Sequence, residues 1–311
     1  MTELPFYGQI CVQVHKGYKI FDFRRGTVVK VFDHNTDSSF IMSEIEQLKF
    51  TSQIDFAPSL KRWNIEDRWY EEDYMSGSLD DPNRPLDSRE LLKKFCNDLV
   101  QCINNLISFQ QPITINAVEH VHKIVEISRL SRQEFTEREF NIIEKFLDSM
   151  MENLHISGDC DIQLVFTHGD FCPANMLKTK HGLKVVDWEG ASFRSLLFDF
   201  YSFFFYLPVT KNIPVDRVIS EINEALPILV SSLARNAPAI SHGLLHLEKV
   251  YRRLYYIERV CMLVERKATD KNLDIMGFIL RYIEVFDCYD ELITCTVHAG
   301  KRKFNKTISA G

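Results

Sequence analysis

Residues 162–188 run IQLVF, then the polar loop HGDFCPAN, then MLKT, a Lys180-His181-Gly182 turn and LKVVDW. This loop flanked by short strands lies deep inside a chain whose surroundings have helical patterning, and that placement constrains the fold more than any other feature. Asp170, Asn175 and Asp187 are oxygen donors at the strand ends, with no thiolate or imidazole cluster beside them. Such a set suits a hard cation such as Mg²⁺. Pro173 stiffens the loop, and the turn at Gly182 folds the second strand back so that Asp187 can arrive beside Asn175.

The texture of the chain changes near residue 75. Before it, CVQVHKGYKIFDF and TVVKVF are rich in β-branched and aromatic residues, with Arg24-Arg25-Gly26 as the turn between them, which predicts antiparallel strands. One helix is expected among them over 38–50, where Ile41, Ile45 and Leu48 share a face. After Met75-Ser76-Gly77-Ser78 the patterning is mostly helical, with helices predicted near 87–109, 137–154, 241–267 and 273–293. Asp87 with Glu90, and Thr136 with Glu139, have capping-box spacing. The expected fold class is α+β, bilobal, with a strand-rich lobe at 1–75 and a mainly helical lobe at 76–311.

HGDFCPAN followed by VVDWE resembles the catalytic loop and metal-binding strand end of the aminoglycoside phosphotransferase and choline kinase group, which shares the protein-kinase-like fold. The resemblance covers His-Gly-Asp, four residues, Asn, and a hairpin to an apolar-apolar-Asp motif. It implies that Asp170 is catalytic, receiving the proton of an acceptor hydroxyl, and that Asn175 and Asp187 hold Mg²⁺ on the phosphates of ATP. His168 would brace the loop, and Asp199 in SLLFDFYSF would begin the next helix and support the loop from there. A strand lysine must then meet a helix glutamate. Lys30 in TVVKVF is the lysine. Glu44 lies beside the Ile41–Ile45–Leu48 stripe at 100° per residue, whereas Glu46 points to the opposite face, so Glu44 is the expected partner.

WYEEDYMSGSL is similar to the hinge of this fold, which implies adenine contacts from the Asp73 carbonyl and the Met75 amide. The nucleotide-covering hairpin departs from the pattern, because Val14 to Lys19 holds Gly17 alone instead of a glycine-rich run. Gly17 is the candidate for close approach to phosphate, with Lys16 or Lys19 adding charge. Glu189 is open to two readings, a supporting role behind the metal or an ordinary capping carboxylate. Trp188 stands where regulated protein kinases carry Phe followed by Gly, which argues against a protein kinase switched by flipping that segment. His242 and His246 have metal-pair spacing without a glutamate between them or a third ligand, and read as helix-face histidines.

With 37 Lys plus Arg against 43 Asp plus Glu, the net charge of −6 disfavours a nucleic-acid partner. The eight cysteines form no CxxC pair and read as reduced thiols. There is no basic leader followed by an apolar run, and the Leu196–Val209 stretch is broken by Asp199 and Pro208, so neither a signal peptide nor an integral membrane segment is expected. The expected location is cytoplasmic, with peripheral membrane contact open to the basic KRKFNK tail. Residues 1–189 carry a net −9 and 190–311 a net +3. The more basic half would bind the acceptor, which points to a sugar or glycan-type hydroxyl compound over a polycationic aminoglycoside. An amino alcohol such as choline is the alternative, with Tyr255, Tyr256, Glu258 and Tyr282 as parts of an aromatic box. An alternative of another class is a catalytically silent pseudokinase binding module, whose usual sign, loss of a key residue, is absent here.

Overall fold

A computed structural model describes residues 6–14, 16–79, 89–156, 160–180, 182–241, 243–269 and 274–308. Alternating β-branched and aromatic residues build a five-stranded antiparallel sheet from β1 (Ile10–Val14), β2 (Gly17–Asp22), β3 (Thr27–Phe32), β4 (Leu60–Asn64) and β5 (Trp69–Asp73), in the order β1-β2-β3-β5-β4. The central strand, TVVKVF, is buried along its whole length. Between β3 and β4 runs α1 (Ser38–Thr51), capped by Asp37, whose side chain accepts from the Ser39 amide at 2.7 Å. Its Ile41, Ile45 and Leu48 are buried as one face.

Chain contacts divide the protein into two compact units, one made of 1–98 with 166–193 and the other of 99–165 with 194–311. The texture change after residue 75 marks where helical sequence begins. The units are drawn differently, because residues 166–193, with their hairpin, belong to the first one. There β6 (Ser78–Leu79) pairs with β9 (Met176–Thr179), and β9 pairs with β10 (Gly182–Val185) from Met176↔Val185 to Thr179↔Gly182. The Val185 amide donates to the Phe56 carbonyl at 2.7 Å, which anchors the hairpin beside the loop after α1.

α2 (Arg89–Ser108) leads into the second unit, where β7 (Ile113–Asn116) pairs antiparallel with β8 (Asp161–Thr167). The helices here are α3 (Ala117–Arg129), α4 (Glu137–Ile156), α5 (Phe198–Lys211, after the short β11, Ser192–Ser195), α6 (Val215–Asn236), α7 (Pro238–Ser241), α8 (Glu248–Thr269) and α9 (Ile275–Ile308). α8 is central and packs on α3, α4, α5 and α9. The capping box at α4 forms: the Thr136 amide donates to Glu139 at 2.8 Å, and the Glu139 amide to the Thr136 hydroxyl at 3.3 Å. Asp87 lies outside the described residues.

Three expectations change. The helix predicted from 241 begins at Glu248, because 243–247 form a turn around Gly243 at φ +75°, a conformation glycine adopts without strain. His246 therefore sits in a turn, and His242 lies outside the described residues. The last helix continues to Ile308, so the backbone of the basic tail is helical, while its side chains lie outside the described residues. Finally, α6 carries a buried stripe of Val218, Ile222, Leu226, Leu229 and Leu233 that the sequence reading did not assign.

The core of this unit centres on Phe205, which is fully buried with ring centroids 5.0–5.6 Å from Tyr255, Tyr256, Phe286 and Tyr289. Phe205→Ala is expected to cost about 3–5 kcal/mol, a transfer loss plus the cavity left behind. Urea denaturation would read this as a lower midpoint with an unchanged slope.

Candidate active site

The site lies within the first unit and is built around one ammonium group. Lys30 projects from β3 with no exposure, and its Nζ is 2.8 and 3.1 Å from the Glu44 carboxylate and 2.7 Å from Glu189 Oε1. Burying a lone ammonium costs several kcal/mol, so this placement requires its partners. Tyr70 on β5 donates its hydroxyl to Glu44 Oε1 at 2.8 Å, fixing the carboxylate from its other side. Glu46 is exposed and pairs with Lys49 at 2.6 Å, in keeping with its place on the far face of α1.

Glu189, open to two readings from the sequence, is the second carboxylate on Lys30. It also meets Lys19 of β2, whose Nζ is 3.2 Å from Glu189 Oε1 and 3.4 Å from Asp187 Oδ1. Burial raises the pKa of the Glu189 carboxyl, but Lys30 and Lys19 outweigh it and hold the group below its ordinary range. Glu44 moves the other way: its deeper burial, reinforced by the Glu189 charge, outweighs Lys30. Lys19 is lowered by burial and raised more strongly by Glu189, Asp187 and Glu72, ending above the usual lysine value.

The loop after β8 is held by His168, which is fully buried. Its Nδ1 accepts from the Asp170 amide at 3.2 Å, and its Nε2 donates to the Val186 carbonyl at 2.9 Å. The ring meets Trp188 edge-on at 4.6 Å and Phe171 at 5.8 Å. Gly169 takes φ +85°, where a side chain would be strained. Asn175 donates from Nδ2 to the Asp170 carbonyl at 2.9 Å, which leaves its Oδ1 as an acceptor, and its own carbonyl receives the Val186 amide at 2.9 Å. Asp187 follows at φ +68°, a left-handed turn that aspartate tolerates, with its side chain half exposed. Trp188 is buried and donates to the Val185 carbonyl at 2.9 Å, which pins that turn.

These donors fit a magnesium ion bound with a nucleotide. Among the described residues no group of three His, Cys, Asp or Glu forms a ready-made metal cage. Mg²⁺ is commonly held by one or two protein oxygens together with phosphates and water, which the Asn175 amide oxygen and the Asp187 carboxylate can supply. Asp73 ends β5, and its side chain pairs with Lys61 at 2.6 Å while its amide donates to the Ser59 carbonyl at 3.1 Å. Met75 follows in an irregular, half-exposed segment. Gly17 opens β2 opposite Phe32, and a Cβ there would lie 2.1 Å from the Val31 carbonyl oxygen. This glycine is therefore required by the close approach of β3.

In the second unit Asp199 lies in the first turn of α5, buried at 3% exposure. The aromatic parts weighed for an amino-alcohol box do not make one. Tyr255, Tyr256 and Tyr282 are core residues, and Glu258 accepts from the Ser195 amide and from His120 at 2.8 Å each. A cavity of about 710 Å³ opens between α6, α8 and α9, where Ile219, Ile222 and Leu226 face Glu248, Arg252 and Asp290.

A model of the phosphotransferase enzyme family matches residues 56–223, more than half of the chain. The chain belongs to that family. The match takes in His168, Asp170, Asn175, Asp187 and Asp199. The chain is an ATP-dependent phosphotransferase acting on a hydroxyl group. No curated protein matches the sequence. Among solved structures, a choline kinase from Cryptosporidium parvum is similar over 93% of this chain and 91% of its own, at 14% identity and a TM-score of 0.57. An ethanolamine kinase from Plasmodium vivax is similar over 89% of this chain and 80% of its own, at 12% identity and 0.56. A thermostable mutant of the aminoglycoside phosphotransferase APH(4)-Ia is similar over 90% and 94%, at 12% identity and 0.57. At such identities these likenesses speak for the fold. No described helix is long and apolar enough to cross a membrane, and no disulfide joins the described cysteines.

Glu72, on β5 beside this cluster, gives a pH signature. Burial raises its carboxyl to about 7 from 4.5, against the pull of Lys19. The folded protein thus keeps a proton that the unfolded chain releases as pH rises from 4.5 to 7, and stability falls across that window. Glu72→Gln removes this dependence. Relative to wild type, the variant should gain on the order of 3 kcal/mol of stability between pH 4.5 and pH 7.5, measured by urea unfolding at each pH.

Proposed function

We propose that this phosphotransferase moves the γ-phosphoryl group of Mg·ATP to a hydroxyl of a sugar or glycan-type small molecule. The observation that carries the nucleotide half of this reading is that one compact unit holds the buried Lys30–Glu44 pair together with the Asp170, Asn175 and Asp187 segment. Lys30, braced by Glu44 and Tyr70, presents its ammonium to phosphate oxygens. The Asp73 carbonyl and Met75 amide receive the adenine edge. Asn175 and Asp187 would hold Mg²⁺, which would supply positive charge to the phosphates. Asp170 orients the acceptor: as the hydroxyl oxygen bonds to the γ-phosphorus, the bond to the leaving ADP oxygen breaks and the hydroxyl proton passes to the Asp170 carboxylate. His168 and Asp199 position the loop and do not react. In this reading 1–75 covers the nucleotide and 76–311 carries the catalytic loop and the acceptor-binding helices.

Support for a sugar-type acceptor comes from the helical unit. Its cavity mixes hydrogen-bonding Asn223, Arg252, Asp290 and Thr294 with aliphatic walls, a lining suited to a hydroxyl-rich molecule. The residues that would have formed an aromatic cation box are core. A cationic acceptor, an amino alcohol or aminoglycoside, is the second reading. The names of the structural relatives and the Glu248 and Asp290 carboxylates in the cavity favour it.

Asp170→Asn should lower turnover by about 10²–10⁴-fold while leaving the affinity for Mg·ATP within about twofold, because the lost group acts on the proton. Steady-state kinetics beside calorimetric titration of nucleotide would check this, and unchanged turnover would remove Asp170 from the reaction. Acceptor-stimulated ADP release, run over pools of sugars, short glycans, amino alcohols and aminoglycosides, decides the acceptor class. Stimulation by the last two pools alone would replace the sugar reading. Nucleotide binding with no stimulation by any pool would favour the silent pseudokinase.

A further inference from the structure

Two lysines face the site from neighbouring strands. Lys19 of β2 and Lys30 of β3 are direct cross-strand partners, a pairing in which like charges repel. Glu44 and Glu189 account for Lys30. Lys19 keeps its side chain only 15% exposed and reaches toward the segment that follows the catalytic-loop hairpin, with Asp187 and Glu189 at 3.4 and 3.2 Å. These contacts are longer than the 2.7–2.9 Å of a strong charge-assisted hydrogen bond. An ammonium on a flexible four-carbon stem, held by two long ion pairs, is free to exchange them for better acceptors.

Among the described residues, the rest of the hairpin offers no substitute. The glycine at 17 is committed to the approach of β3, as its 2.1 Å Cβ clearance shows. Lys16 lays its Nζ over the Phe40 ring at 3.4 Å, and its carbonyl accepts the Asp33 amide at 2.9 Å. On the strength of these contacts, and resting on the phosphotransferase reading above, we propose that Lys19 is a second phosphate-binding cation. On nucleotide binding it exchanges Asp187 and Glu189 for oxygens of the β- and γ-phosphates. It thereby supplies, from a side chain, the positive charge that a glycine-rich run would supply from backbone amides.

The test is a ladder of ligands. Dissociation constants for ATP, ADP, AMP and adenosine are measured by calorimetry in excess Mg²⁺ for the wild type, Lys19→Met and Lys19→Gln, with melting temperature alongside. A hydrogen bond to a charged group predicts that both variants lose about ten- to a hundredfold in ATP affinity. ADP should lose less, and AMP and adenosine should stay within about twofold. An equal loss for all four ligands, or a lowered melting temperature with the ladder intact, would overturn the proposal and leave Lys19 as a neutraliser of nearby carboxylates. A wild-type protein that binds none of the four would refute the nucleotide reading itself. That result differs from a binding wild type with unaffected variants, which refutes the role of Lys19 alone.

Discussion

The buried ammonium of Lys30 is the point on which the first unit depends. A charge with no exposure must be met by opposite charge and hydrogen bonds, and here Glu44 and Glu189 meet it from α1 and from residues 188–190, with Tyr70 of β5 fixing Glu44. Three segments thus meet at one atom, and a fourth, β5, is tied to them through Glu44. Removing any one carboxylate leaves a buried cation short of a partner. The register of β3 against β5 and the rotation of α1 are held to the same arrangement, since a one-residue slip would turn Lys30 to the other face of the sheet. This is also a physical reason for residues 166–193 to belong with the N-terminal sheet.

Much of this was legible because it obeys short periods. The 100° advance of a helix separates Glu44 from Glu46, and the structure gives the first to Lys30 and the second to Lys49. The hairpin from Asn175 to Asp187 follows from a turn at Gly182 between two short apolar runs, and the Thr136 capping box from its three-residue spacing. Glu189 and Lys19 were not resolved in the same way. Glu189 meets Lys30 across 159 positions, and Lys19 meets Asp187 across 168, separations on which no local pattern reports. The one signal available for Glu189 was a carboxylate two residues beyond Asp187 next to a tryptophan.

The second unit shows where periodicity misleads. Tyr255 and Tyr256, with Glu258, supply the parts of a cation box by composition, yet a helix as central as α8 buries residues all round, and these are core. α6 was hidden by the opposite effect. Pro214 and Pro227 flank and interrupt its stripe, yet Pro214 lies just before the first helical residue and Pro227 is accommodated within α6. The helix expected from 241 starts at Glu248, because Gly243 turns the chain before it.

Charge balance at the site bears on how a nucleotide enters it. Glu44, Glu72, Asp187 and Glu189 outnumber Lys19 and Lys30, so the local charge is negative apart from the proton that Glu72 retains near neutrality. A polyphosphate approaching such a surface alone would be repelled. On the proposed reading Asn175 and Asp187 would hold a divalent cation, whose positive charge would offset this repulsion, and Lys19 would then turn from Asp187 to the polyanion. On the proposed reading, metal and nucleotide then bind with positive coupling, and by linkage each raises the affinity of the other by the same factor. The surplus of carboxylates, costly for the empty fold, would make the site selective for the metal complex over free ATP.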